Sequence, residues 1–384
     1  MKNIVWKILS YIVVATLASV VSIALCTLEP VYQVSKLDQL AALIESRFIG
    51  EADMGKAKDA AAAAMVNSLG DRWSYYLSAE EFLVQKERMD NSYVGIGVTI
   101  VGAEDGSGVE VLKVEDNSPA LEAGIQVGDI IVGVEGQDVA GMDTTELRNL
   151  VRGEEGTFVL LTINRDGEVF DLSVERRTVE TAVATGVMLP GNVGLVTIAN
   201  FDSRCASESI AAIESLIEQG AQALILDVRN NPGGYKDELV WLLDYLLPEG
   251  PIFRSEDYKG EIVVDESDAS CLEMPMAVLV NEDCYSAAEF FAAALAEYDW
   301  ATVVGTHTVG KGYYQVPYTL MDGSAVGLSI GKYTTPKGIS LEGVGITPEI
   351  LVEVDAETYF KIYAGMVAPE EDPQIQAAVA AVLP

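Results

Sequence analysis

One histidine, His307, serves all 384 residues of the chain. A metal site clustered on imidazoles is therefore excluded, and any Ser-His-Asp arrangement has to use that residue. The four cysteines, Cys26, Cys205, Cys271 and Cys284, show no CxxC spacing, which argues against zinc and thioredoxin-type redox chemistry. Positive charge is also scarce. Lys and Arg total 24 against 59 Asp and Glu, a net charge of −35. That balance repels phosphate backbones and there is no basic run, so no nucleic-acid partner is expected. Hydrophobic residues make up 49%, too many for a disordered acidic chain and enough to fill real cores. The length suggests two or three domains.

Charge is missing altogether between Lys7 and Glu29. As a helix, Ile8–Leu28 measures roughly 31 Å, about the thickness of a bilayer core. Lys2 and Lys7 precede it and acids follow, which places the N-terminus in the cytoplasm. A cleaved signal peptide is the alternative, but its apolar core usually runs to only ~7–15 residues. Cys26 suggests a lipoprotein, yet Leu25 before it is bulky for such a cleavage site. The expectation is a single-pass signal anchor with the rest of the chain outside the cytoplasm. Three cysteines then lie outside, at least one unpaired, and no disulfide is specified.

Residues 31–90 read as a helical segment. Leu37, Leu40, Leu43 and Ile44 recur at helical spacing, and an alanine run at 60–64 leads into Met65, Val66 and Leu69. Gly70-Asp71 stops that helix, and Trp73, Tyr75 and Tyr76 follow as an aromatic cluster expected to pack in a core. From 91 to 178 the pattern changes to short strands between Gly and Asp turns. Val94–Ile100, Val109–Val114 and Phe158–Asn164 alternate; Asp166-Gly167 is a hairpin-type turn; Ser118-Pro119-Ala120 and Thr144–Val151 start helices. From 179 to 355 strands and helices alternate, predicting a mostly parallel sheet covered on both faces. The remainder, 356–384, looks helical.

Chemistry concentrates at three places. Strand Ala223–Val228 runs into Arg229-Asn230-Asn231-Pro232-Gly233-Gly234, a tight turn at a carboxyl end, where α/β sheets bind ligands and paired glycines let N–H groups converge on an anion. Ser286 stands between a buried strand and an amphipathic helix. A serine there is ordinarily a cap, but the position also presents a hydroxyl to the helix N-terminus, with the Ala287 N–H free to donate to an oxyanion. Lys311 is bracketed by Gly310 and Gly312, and the spacing excludes a P-loop. Nothing around His307 offers an orienting carboxylate.

Together these segments resemble the carboxyl-terminal processing (tail-specific) protease family, in which a serine is the nucleophile and a lysine the base. Cys284-Tyr285-Ser286-Ala287-Ala288-Glu289 matches the family's Ser-Ala-Ser-Ala-Ser-Glu-type segment with substitutions at 284, 285 and 288. Asp227–Gly234, Gly310-Lys311-Gly312 with Gln315, Lys332–Gly338, Gly345–Glu349 and Gly70–Leu77 are similar to further family segments, in order. The resemblance implies a multi-domain α/β protein with a crotonase-like (ClpP-like) protease core. It implies Ser286 as nucleophile, Lys311 as base, Gln315 as its orienting partner, and Gly233 beside Ala287 as oxyanion donors. Residues 91–178 resemble the β-rich PDZ domain of these proteases, with Tyr93, Val94, Gly95, Ile96, Gly97 and Val98 as carboxylate-binding loop. The implied partners are protein tails with apolar ends, and a homo-oligomer is an open alternative; the uncharged run at 8–28 adds the membrane, and no metal or cofactor is expected.

Two other classes compete. A non-catalytic PDZ scaffold would bind tails without cutting them. A crotonase-type acyl-CoA enzyme shares oxyanion amides but has no use for a PDZ segment or an anchor. A lysine base sets a physical condition: a side chain near pKa ~10.4 must fall roughly 3.4 units, about 4.6 kcal/mol, to be half neutral at pH 7. Desolvation has to outweigh the acidic chain, which predicts an apolar site without a carboxylate against Lys311.

Overall fold

The computed structural model describes residues 35–383 apart from Glu104. The expected anchor at 8–28 lies outside the described residues, and among those described no helix is long and apolar enough to cross a membrane. The described residues divide into two units at the step from Met65 to Val66.

In the first, helix Lys36–Arg47 begins at a capping box: the Ser35 hydroxyl accepts from the Asp38 N–H, and the Asp38 carboxylate accepts from the Ser35 N–H. Its apolar positions Leu37, Leu40 and Leu43 are exposed. A second helix, Met54–Asn67, has all but its last two residues in this unit.

The second unit holds two separate cores. Strands Val98–Gly102, Val109–Val114, Ile130–Val134, Phe158–Arg165 and Glu168–Glu175 form an antiparallel sheet in that order. Asp166 and Gly167, both at positive φ, make the two-residue turn of its last hairpin. Val109, Val111, Ile131, Leu161 and Ile163 bury one face against Leu147 and Val151 of helix Thr144–Val151. The sequence read Val94–Ile100 as one strand. Here Ser92–Gly95 pairs with Arg177–Glu180, Val98 opens the next sheet, and the break falls at Ile96-Gly97. Gly97 has φ +82°, and a Cβ there would stand 2.3 Å from the Ser118 Cβ, so only glycine fits the bend.

The larger core is a six-stranded sheet: Ala184–Leu189, Val193–Ile198, Ala223–Asp227, Met276–Val280, Ala301–Gly305 and Ile350–Leu351. The first pair is antiparallel and the rest are parallel. Both faces are buried, as the unbroken apolar runs require. Leu224, Leu226, Val278 and Val280 face helices Cys205–Glu218, Lys236–Leu246 and Ala287–Glu297. Their neighbours Ile225, Ala277 and Leu279 face Ile375, Ala378 and Val382 of the last helix, Pro373–Val382. Arg229 fastens that helix at its start, bonding Asp227 beneath it and Asp372 and Gln374 above.

A second antiparallel sheet, Tyr75–Leu77, Ala325–Thr334, Gly250–Asp257 and Ile262–Ser267, with Tyr313–Thr319 also on Ala325–Thr334, was not expected beyond its Lys332-Tyr333 stretch. It carries the chain from Lys311 back towards the short strand after Trp73.

Candidate active site

Ser286 occupies the turn from strand Met276–Val280 into helix Ala287–Glu297 at φ 59° and ψ −128°. That conformation is costly for a residue with a Cβ and persists only where surroundings enforce it. Enforcement comes from Glu289, one turn into the helix and 0% exposed. One carboxylate oxygen accepts the Ser286 N–H (3.1 Å) and the Lys311 N–H (2.8 Å). The other accepts the Gly310 N–H (2.8 Å) and the Thr308 hydroxyl (2.5 Å). Two donors on one oxygen keep the Ser286 and Lys311 backbone nitrogens within about 6 Å of each other, across 25 positions of sequence. Burial pushes the Glu289 carboxyl up, while its four hydrogen bonds pull the other way. The segment match included Glu289 without assigning it a role; an acid in a first helical turn ordinarily signals only a dipole partner.

Gly233, at φ +89°, lies directly against the helix start: a Cβ built on it would stand 2.8 Å from the Ala287 nitrogen and 2.8 Å from the Ser286 Cβ. Its own N–H donates to the Asn231 side chain at 2.8 Å, so this expected oxyanion donor is near Ala287 but turned onto a neighbour. Asn231 is fully buried and also donates to the Ile198 carbonyl, which ties the loop to the end of strand Val193–Ile198. Cys284 donates its thiol to the Val228 carbonyl, and burial pushes that thiol up to about 12; it is a packing group. Cys205, Cys271 and Cys284 are all free.

Lys311 lies under two aromatic rings, its Nζ 5.0 Å from the Trp73 centroid and 5.7 Å from that of Tyr285. The rings stack on each other at 6.4 Å and 21°. Burial is the largest influence on the amine and pulls it down to about 8. Carboxylates are nevertheless present, contrary to expectation: Glu342 and Asp71 push the value back up, Arg72 lowers it, and Glu289 adds a smaller upward push. All three acids bond other donors, and Lys311 forms no ion pair among the described residues. The aromatic cluster expected in a core thus supplies part of the site: Trp73 is half-buried against the amine.

Gln315 departs from its expected place. Its amide donates to the Tyr313 carbonyl and the Ser329 hydroxyl rather than to Lys311, because strand pairing sets Gln315 opposite Ser329. Ser329 in turn bonds Asp71, so Gln315 reaches the lysine only through that chain of groups. His307 is exposed and its ring bonds the Thr347 hydroxyl.

Most of the residues expected to hold a tail border a cavity of about 340 Å³ between strand Val98–Gly102 and helix Thr144–Val151. Tyr93, Gly95, Ile96, Gly97 and Val98 line it; Val94 does not, since it alternates to the other side of its strand. Ile131, Leu147 and Val151 make the floor apolar, and Arg148 and Arg152 stand on the helix side.

The chain is similar to known proteins over most of its length. Residues 192–352 match Peptidase family S41 and residues 110–165 match a PDZ domain. The carboxy-terminal processing protease CtpA of Bacillus subtilis is 34% identical over 323 residues, 83% of this chain and 69% of that protein. A probable CtpA-like serine protease of Staphylococcus epidermidis is 31% identical over 321 residues, 83% of this chain and 65% of the relative. The chain therefore spans about two thirds of these relatives' length. A putative S41 protease from Bacteroides fragilis shares the fold at a TM-score of 0.54 and 19% identity, covering 83% of this chain and 88% of that one. A non-catalytic scaffold and an acyl-CoA enzyme fall away. The chain belongs to the carboxy-terminal processing proteases, serine-type peptidases of family S41 that carry a PDZ domain.

Proposed function

We propose that the chain cleaves proteins presented by their C-terminal tails, using Ser286 as nucleophile and Lys311 as general base. The observation that supports this reading best is the single Glu289 oxygen holding the backbones of both residues. The neutral Lys311 amine takes the Ser286 hydroxyl proton as the oxygen attacks the scissile carbonyl. The Ala287 N–H, at the start of its helix, receives the developing negative charge, joined by Gly233 once its bond to Asn231 is exchanged. Lys311 then returns the proton to the leaving amine, an acyl-enzyme forms on Ser286, and water releases it by the same proton route. Gln315 acts on the lysine through Ser329 and Asp71.

A lysine at about 8 is roughly one-tenth neutral at pH 7, and deprotonating it costs about 1.4 kcal/mol instead of nearly 5. The upstream cavity receives an apolar tail as an added strand, with the carboxylate at Gly95–Gly97. Residues 8–28 anchor the chain in a membrane and leave 31–384 outside the cytoplasm; the divisions at 30, 90, 178 and 355 belong to the same proposal.

The test uses a tagged protein ending in apolar residues, with products identified by mass. The wild type shortens it, Ser286→Ala binds without cutting, and Lys311→Arg is inactive because guanidinium does not deprotonate in this range. Turnover in wild type should rise tenfold per pH unit below about 8 and level off above, since the base works only when neutral. Retained cutting by Lys311→Arg rejects the scheme.

A further inference from the structure

Trp73 makes three separate contacts around the lysine. Its ring covers the amine at 5.0 Å. Its backbone N–H donates to Asp71 at 3.1 Å. Its indole N–H donates to Glu342 at 3.0 and 3.2 Å. The Gly312 N–H, next to the lysine, donates to the same carboxylate at 2.7 Å. Glu342 is thus the acid with the largest upward push on Lys311, yet two neutral donors occupy it. An acid that reached the amine instead would favour the ammonium and disable the base.

We propose that Trp73 is a positioning residue for the general base: its indole N–H, with the Gly312 N–H, keeps the Glu342 carboxylate from pairing with Lys311 while its ring shields the amine from water. The inference rests on reading Lys311 as the base. Other charged groups facing the amine are Asp71, Arg72 and Glu289. Asp71 is committed to Trp73 and Ser74, Glu289 to four donors, and Arg72 lies over the Trp73 ring at 3.9 Å. Of the acids facing the amine among the described residues, Glu342 is the one held by a single side-chain donor together with one backbone N–H.

Trp73→Phe keeps a ring and removes the N–H. Its effect is measured in two ways in the full chain: the acid limb of kcat/KM against pH, and, in the Ser286→Ala background, the pH dependence of Lys311 acetylation by acetic anhydride, read by mass. Trp73→Phe should move both upward by about one unit, a tenfold loss at pH 7 that fades at high pH. Adding Glu342→Gln should return both to or below the wild-type position. Glu342→Gln alone, which leaves Trp73 in place, should shift them downward and serves if Trp73→Phe does not fold. A fall in kcat/KM by one factor at every pH, or an acetylation curve unmoved in Trp73→Phe and Glu342→Gln alike, overturns the proposal. An acetylation curve that moves while the kinetic limb stays put overturns the lysine-base reading and leaves the hold of Trp73 on Glu342 supported.

Discussion

Replacing Glu289 by Gln changes one oxygen to an amide nitrogen and leaves the side chain's volume almost untouched. The consequence depends on hydrogen-bond directions. In the native site one oxygen serves Ser286 and Lys311 and the other serves Gly310 and the Thr308 hydroxyl. An amide nitrogen facing Ser286 and Lys311 sets donor against donor twice. Turned the other way, it still confronts the Gly310 N–H, although the Thr308 hydroxyl can rotate to accept. At least one buried N–H is orphaned, at about 1–3 kcal/mol each. Removing a buried negative charge offsets part of that, so the net loss in stability is about 2 kcal/mol. Catalysis should suffer more, because the carboxylate links the backbones of nucleophile and base, and a displacement of ~1 Å between reacting groups costs on the order of a hundredfold. Urea unfolding and peptide kcat/KM, measured on the same preparation, check both figures. An unchanged unfolding midpoint with turnover within twofold of wild type would show that the four bonds to Glu289 do not hold the site.

Three further outcomes follow from groups around the site. Asp202 is 3% exposed, and burial pushes it up to about 6, opposed by Arg88 and aided by Asp90. Its folded value is above its unfolded value, so it costs stability once ionised. Asp202→Asn should therefore stabilise the protein at pH 7 by about 2–3 kcal/mol, with the gain appearing between pH 4 and 6 and absent below; thermal unfolding at pH 4 and 7 reads it. Arg229→Met leaves Asp227 and Asp372 buried without their partner, and should destabilise by about 3–5 kcal/mol. Hydrogen exchange should then show helix Pro373–Val382 losing protection before the sheet; uniform loss would mean that Arg229 does not fasten that helix specifically. Thr308→Val removes one donor from Glu289 and leaves the Ile346 N–H without its acceptor. A loss of about 1–3 kcal/mol in urea unfolding is expected, with a smaller kinetic effect than Glu289→Gln because neither bond to Ser286 or Lys311 is touched.

Much of this architecture is legible in the sequence because burial is symmetric where the chain is most regular. Strands Val193–Ile198 and Met276–Val280 and helix Ala287–Glu297 carry apolar side chains on every face that meets the core, so period and length alone locate them. Strands Gly250–Asp257, Ile262–Ser267 and Tyr313–Thr319 are mostly half-buried or exposed, show no clean alternation, and so leave no such trace. The same limit governs the site. Ser286 and Lys311 are marked by local surroundings, a helix start and two flanking glycines, but Trp73 and Glu342 meet across 269 positions. Nothing in the spacing of either residue announces the other. Composition was misleading in a more instructive way. A chain with net charge −35 suggests that a neutral lysine survives only where acids are far away, and the structure puts three around it. What matters is not the number of carboxylates but where their lone pairs are engaged: an acid bonded to peptide N–H groups or an indole is held in place, and cannot approach the amine without giving up bonds that burial makes expensive to lose. Burial lowers Lys311, and the loops that occupy its acidic neighbours keep them from cancelling that effect, so a substitution at a donor should disturb the base as well.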